Sequence, residues 1–135
     1  MSQHMVRTLA LVFVVLFFAA QAVAHHAFAT EFDATKRVTI RGYVTKVEWT
    51  NPHSWFYLNV KNEKGVIENW GFEMGSPNAL YQAGWTRTSL KIGEEIIVEG
   101  SLARDGRKRV NSRNVTMVST GKKFGTASSE TQQNQ

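Results

Sequence analysis

The hydrophobic pattern of this chain changes character twice. Residues 9–20 are apolar without a break, residues from Arg37 onward alternate apolar with polar, and beyond Val118 only Phe124 interrupts a polar stretch. Alternation of period two predicts strands with one face turned to a core. Val38, Ile40 and Val44 share one parity, with Gly42 in the same series, whereas Val47 and Trp49 fall on the other. The first strand is therefore long and carries a bulge or sharp coil, with Gly42 permitting the bend. Asn51-Pro52 ends it by removing a donor and favouring a turn.

A second strand over residues 54–60 turns Phe56, Leu58 and Val60 to one side and Trp55 and Tyr57, with His53 just ahead of them, to the other. Residues 62–65 (NEKG) read as a hairpin, and residues 66–74 return as a third strand with Trp70, Phe72 and Met74 on a common face. Ser76-Pro77 then opens a short helix, a capping hydroxyl followed by proline where its missing N–H costs nothing. Leu80 and Tyr81 are expected to pack inward, with Gly84 as the stop. Residues 94–102 form a fourth strand with Ile96, Val98 and Leu102 on one face, Asp105-Gly106 a turn, and residues 110–118 a fifth, more polar strand expected at a sheet edge.

Three strands, a short helix and two more strands predict an all-β fold, a five-stranded OB-fold-like barrel with the helix between strands 3 and 4. A β-sandwich needs more strands than the pattern supplies. The start of the chain reads as a signal peptide: a polar opening with Arg7, the apolar run, then Ala22-Val23-Ala24 before His25-His26. The run is too short to favour a membrane span, for which about 20 apolar residues are needed. The expected organisation is a signal peptide over residues 1–24, one domain over 25–118 and a disordered tail over 119–135, in a periplasmic protein with no membrane span after cleavage. Cleavage after Ala22 would instead leave Val23 first.

Charge and composition narrow the function. Losing Arg7 with the leader leaves 15 of the 16 Lys and Arg against 11 Asp and Glu, a mildly basic balance. The cations are spread, and the cluster of Arg104, Arg107, Lys108, Arg109 and Arg113 reads as a solvated hairpin, so nucleic acid is not the expected partner. The chain has no cysteine, which excludes disulfides, thiolate metal sites and thiol catalysis.

The strings HHAF (residues 25–28), EWTNPH (48–53), NWGFEMGSP (69–77) and GWTR (84–87) resemble a family of small exported bacterial proteins known only as a domain of unknown function. The resemblance runs from His25 to about Phe124 and implies export and a small barrel. It brings no activity and no functional residue. A second, local resemblance links an N-terminal histidine to copper proteins that chelate through the amine and ring of residue one.

Two sites follow. The α-amine freed by cleavage after Ala24 and the rings of His25, His26 and His53 offer nitrogen ligands suited to copper, with Glu31, Asp33 and Met74 as further donors; Phe28 and Phe32 would dock this segment near His53. The bland alternative is a frayed chain end. The other site is an aromatic ligand-binding surface of Trp49, His53, Trp55, Tyr57 and Trp70, able to stack on a planar ligand or a sugar. Glu48, Glu68 and Glu73 show no spacing that pairs them for acid–base work, and no catalytic triad, phosphate loop or HExxH string is present. The expectation is a non-enzymatic, exported binding module for a small molecule or an envelope protein, with a copper-binding protein as the alternative and an assembly role in the envelope as a third reading.

Overall fold

A computed structural model describes the backbone of residues 1–132 and their side chains except those of residues 15–26 and 132. Its elements are α1 (Gln3–Glu31), β1 (Phe32–Glu48), β2 (Trp55–Lys61), β3 (Ile67–Glu73), α2 (Pro77–Gln82), β4 (Glu95–Ala103), β5 (Arg109–Met117), β6 (Lys123–Gly125) and α3 (Ser129–Gln132). The strands pair in the order β3-β2-β1-β4-β5-β6, and a parallel β3–β5 pairing joins Gly71–Glu73 to Arg109–Asn111, so β1 to β5 close into a ring. This is the OB-like barrel expected from the alternation, with α2 between β3 and β4.

The ring closes because β1 changes partners along its length. Its first half pairs with β4 and its second with β2, and the register slips between Val44 and Lys46, where the parity of the sequence flips. Gly42 sits just ahead of this slip, and a Cβ there would overlap the Asn59 carbonyl oxygen. Val44, Phe56, Leu58, Phe72, Met74, Leu80, Ile96, Val98, Val110 and Val115 fill the interior, each at most 1% exposed. Each such burial contributes roughly 1.5–3 kcal/mol. Ser76 caps α2 by accepting from Ala79 N–H at 3.3 Å, and Gly84 follows in the left-handed region at φ 90°.

Three expectations need correction. β5 is not an edge: β4 and β6 flank it and β3 joins it, because its polar residues Asn111 and Ser112 are buried beneath the chain's own C-terminal segment. Tyr81 does not enter the core; Leu80 fills that place, and Tyr81 stays 46% exposed. Residues 119–132 are not a loose tail. Thr126, Ser128 and Glu130 are buried, Gly75 N–H donates to Thr126 O at 2.9 Å, and Trp85 Nε1–H donates to Gly125 O at 2.7 Å. Low hydrophobicity misled here because the segment packs through hydrogen bonds: Glu130 accepts from Ser101 Oγ at 2.9 Å and pairs with Arg37 at 3.0 Å. Residues 133–135 lie outside the description.

At the other end, the last turns of α1 join the fold. Phe28 and Phe32, 4% and 1% exposed, stack at 6.0 Å and pack with Ala103 and the partly buried Trp55. Arg104 clamps this turn, its Nε–H donating to Ala29 O at 2.7 Å and its backbone N–H to Glu31 O at 2.9 Å. Leu9, Leu11, Val12, Phe13 and Val14 are exposed. Among the described residues, no helix is long and apolar enough to cross a membrane.

Candidate functional site: the outer face of β1, β2 and β3

Strand register decides what this face presents. Phe56 lies opposite Phe72 and Leu58 opposite Trp70, all turned inward, which leaves Trp55 opposite Glu73, Tyr57 opposite Gly71 and Asn59 opposite Asn69 on the outside. On β1, Tyr43 faces Asn59, Lys46 faces Tyr57 and Glu48 faces Trp55. One continuous outer face therefore carries Tyr43, Asn59 and Asn69, then Lys46 and Tyr57, then Glu48 and Trp55, with the buried Glu73 at its margin. The β1–β2 connection, with His53, and the β4–β5 turn flank its far end, the two loops that border ligands on such barrels.

The polar groups are largely paired. Tyr57 Oη–H donates to Glu48 Oε2 at 3.1 Å, and Lys46 both pairs with Glu48 and lies 5.5 Å from the Tyr57 ring centre. Lys46 and Tyr57 hold the Glu48 carboxyl below its ordinary range, while partial burial pushes the Tyr57 phenol up. Gly71 leaves room for the Tyr57 ring, which would otherwise meet a Cβ at 3.3 Å. Arg109, opposite Gly71 on β5, reaches across to Trp55, its guanidinium carbon 5.1 Å from the ring centre, and pairs with Glu31 of α1 at 3.5 Å.

His53 and Glu73 form the one coupled acid–base pair on this face. His53 Nδ1 meets the Glu73 carboxylate; the imidazole is 42% exposed and the carboxylate is buried. Glu73 raises the His53 pKa above its usual value, chiefly through this hydrogen bond and against partial desolvation. With Nδ1 engaged, Nε2 is the nitrogen left to carry a proton or meet a ligand. Among the described residues, no group of three or more His, Asp or Glu is arranged to hold a metal ion.

Beside Tyr43, at the other end, lies a groove of about 420 Å³ lined by Arg41, Tyr43, Asn59, Lys61, Ile67 and Glu95. Tyr43 is 53% exposed and Ile67 66%. Arg41 and Glu95 form a two-bonded pair at 2.8 and 3.1 Å, and Asn69 Nδ2–H donates to Thr45, Leu58 and Asn59 oxygens at 3.1 to 3.3 Å.

The expected aromatic surface is thus only partly assembled. Trp55 and Tyr57 share the outer face with His53 at its corner. Trp70 points to the barrel interior and packs on the core. Trp49 lies at the α2 end, stacked on Tyr81 at 5.4 Å with Arg87 5.8 Å from its ring. Parity already separated Trp70 from Trp55; the bulge removed Trp49 as well. His25 and His26 lie outside the described side chains. Of the other donors, Met74 is in the core, Asp33 is engaged by Thr35 and Arg104, and Glu31 by Arg109. The basic hairpin is solvated, as expected, with Arg104 to Lys108 all exposed, and its cations carry surface ion pairs: Arg107 with Asp105, Lys108 with Glu68, Arg109 with Glu31.

The sequence reading missed Tyr43, Asn59, Asn69 and Arg109 as parts of the face and gave Glu73 no partner. Tyr43 and Asn59 were legible as polar-side positions flanking the bulge, whereas Arg109 and Glu31 meet only because β5 closes on β3 and α1 docks beside it.

A sequence profile places the chain in a family. The profile of the Family of unknown function (DUF6152) matches residues 13–112, and the chain belongs to that family. A similar solved structure is the dimeric N-terminal domain of the PriB protein from Thermoanaerobacter tencongensis, 24% identical with a TM-score of 0.46, the alignment covering 62% of this chain and 97% of that one. No curated protein matches the chain.

Proposed function

We propose that this member of a family of unknown function is an exported, non-enzymatic binding module that takes its ligand on the outer face of β1, β2 and β3. The observation that carries the reading is the register that sets Trp55 and Tyr57 in one surface with Tyr43, Asn59 and Asn69, beside a groove of about 420 Å³. Export to the periplasm rests on the leader and agrees with the exposure of the described apolar side chains of residues 9–14, which add nothing to the barrel. The folded body starts with the turn that holds Phe28.

Trp55 is the natural reporter. Ligand added to the processed protein is expected to change tryptophan emission, and Trp55→Phe to remove most of that change while Trp49→Phe leaves it. An equal response from Trp55→Phe would move the ligand elsewhere. Mass measurement of the mature chain tests export: a first residue within the leader would end that part of the proposal.

A copper-binding role is the second reading, and one observation favours it. Glu73 fixes the His53 ring through Nδ1, the carboxylate–histidine arrangement that orients an imidazole whose other nitrogen binds a metal. The docked turn of α1 follows His25 and His26 by a few residues. Calorimetry with Cu(II) on the processed protein, on a form extended by one alanine before His25 and on His53→Ala checks it. Equal affinity for all three would exclude a site built from the chain start and His53.

A further inference from the structure

We propose that the ligand of this outer face is a neutral, extended oligosaccharide. The inference rests on the binding-module reading and adds the class of ligand. Shape comes first. The surface runs from Lys61 and Ile67 through the Tyr43, Asn59 and Asn69 row to Tyr57 and Trp55 without a side chain of the core intervening. Lys61 lies six positions along β2 from Trp55, which at the usual rise spans about 20 Å. A compact ligand would use only the groove; a chain of several sugar rings uses the whole track.

The chemistry along the track is what pyranose rings require. Tyr43 and Tyr57 stand in succession along the track, which ends at Trp55, its ring already met by Arg109 and by the docked turn of α1, and between them stand groups that both donate and accept: the Asn59 and Asn69 amides, the Arg41–Glu95 pair and the Lys46–Glu48 pair. Sugar hydroxyls donate and accept at once, so mixed pairs suit them better than cations alone.

Charge argues against the other extended polymer that such faces hold. A polyphosphate chain needs a row of unpaired cations, because its affinity comes from phosphate neutralisation. Here Arg41 is matched by Glu95, Lys46 by Glu48 and Arg109 by Glu31, and Lys61 alone among the described cations of the face has no carboxylate partner. A phosphate backbone would meet a carboxylate beside nearly every cation, whereas a neutral glycan meets none of that repulsion.

Amide NMR titration of the processed full chain tests the proposal, with chitotetraose, cellotetraose and maltotetraose as probes and an octamer of thymidylate as the contrast. A neutral tetrasaccharide is expected to shift Tyr43, Asn59, Tyr57 and Asn69 together, and Tyr43→Ala and Asn69→Ala to weaken its binding by roughly tenfold each, a loss of about 1.4 kcal/mol. Thr39→Ala, an exposed site on the β1–β4 wall, is expected to leave affinity unchanged, and thermal melts establish that each variant is folded. Shifts on this face with the oligonucleotide and with none of the sugars would overturn the glycan and leave the binding face standing. Silence of the face toward every probe would count against both.

Discussion

The outer wall of the barrel has two halves that use the same kinds of residue differently. On the β4–β5 half, Ser101 and Asn111 are fully buried, Arg37 stands beside them on β1, and the chain's own C-terminal segment answers them: Glu130 takes Ser101 and Arg37, and Ser129 Oγ accepts from Asn111 Nδ2 at 3.1 Å. On the β1–β2–β3 half, Tyr43, Asn59 and Asn69 stand in an equivalent row, and nothing in the described chain covers them. Polar side chains on a strand say only that a partner is wanted; whether the chain supplies it separates a structural row from a receptive one. Trp55 and Glu73 lie on the seam, where the docked turn of α1 ends.

Substitutions that strip the covered half are expected to cost the most. Phe32→Ala removes a ring that is 1% exposed and undocks the turn of α1, an expected loss of about 3–5 kcal/mol by urea unfolding. A loss below about 1 kcal/mol would mean that this turn does not seal the wall. Gly75→Ala is next. Its Cβ would overlap the Ala127 carbonyl oxygen, so the C-terminal segment must shift, at about 1–3 kcal/mol, with faster proteolysis after residue 118 as the signature.

The seam responds to pH. Pairing with Glu73 raises the His53 pKa above its unfolded value near 6.5, so the stability from this pair is full below that value and is lost as pH rises through the folded one. Melting temperature is therefore expected to fall modestly between about pH 6 and pH 9, and His53→Gln to flatten that slope. A steeper slope in His53→Gln would show that another group controls it. At the open half, Tyr43→Ala is expected to change stability by less than about 0.5 kcal/mol, since the ring is 53% exposed, while lowering ligand affinity. A large destabilisation there would mean that the face is structural after all.

Much of this fold was legible because burial on strands leaves a period of two. The parity flip between Val44 and Val47 gave the bulge that lets β1 serve two partners, and Ser76-Pro77 gave α2. What escaped were contacts between segments far apart in the chain. Nothing near Glu130 announces Arg37, and nothing near Glu31 announces Arg109. The site was half legible for the same reason: Trp55 and Tyr57 follow from local alternation, but Trp49 was lost to the bulge and Glu73 was hidden by its neighbours on β5. A polar composition after Val118 signalled disorder only because the hydrogen bonds that hold it lie on other strands.

The pairing of Arg37 with Glu130 also bears on when the molecule can assemble. Arg37 on the first strand finds Glu130 only once residues near the far end of the chain are present, and long-range contacts of this kind slow folding.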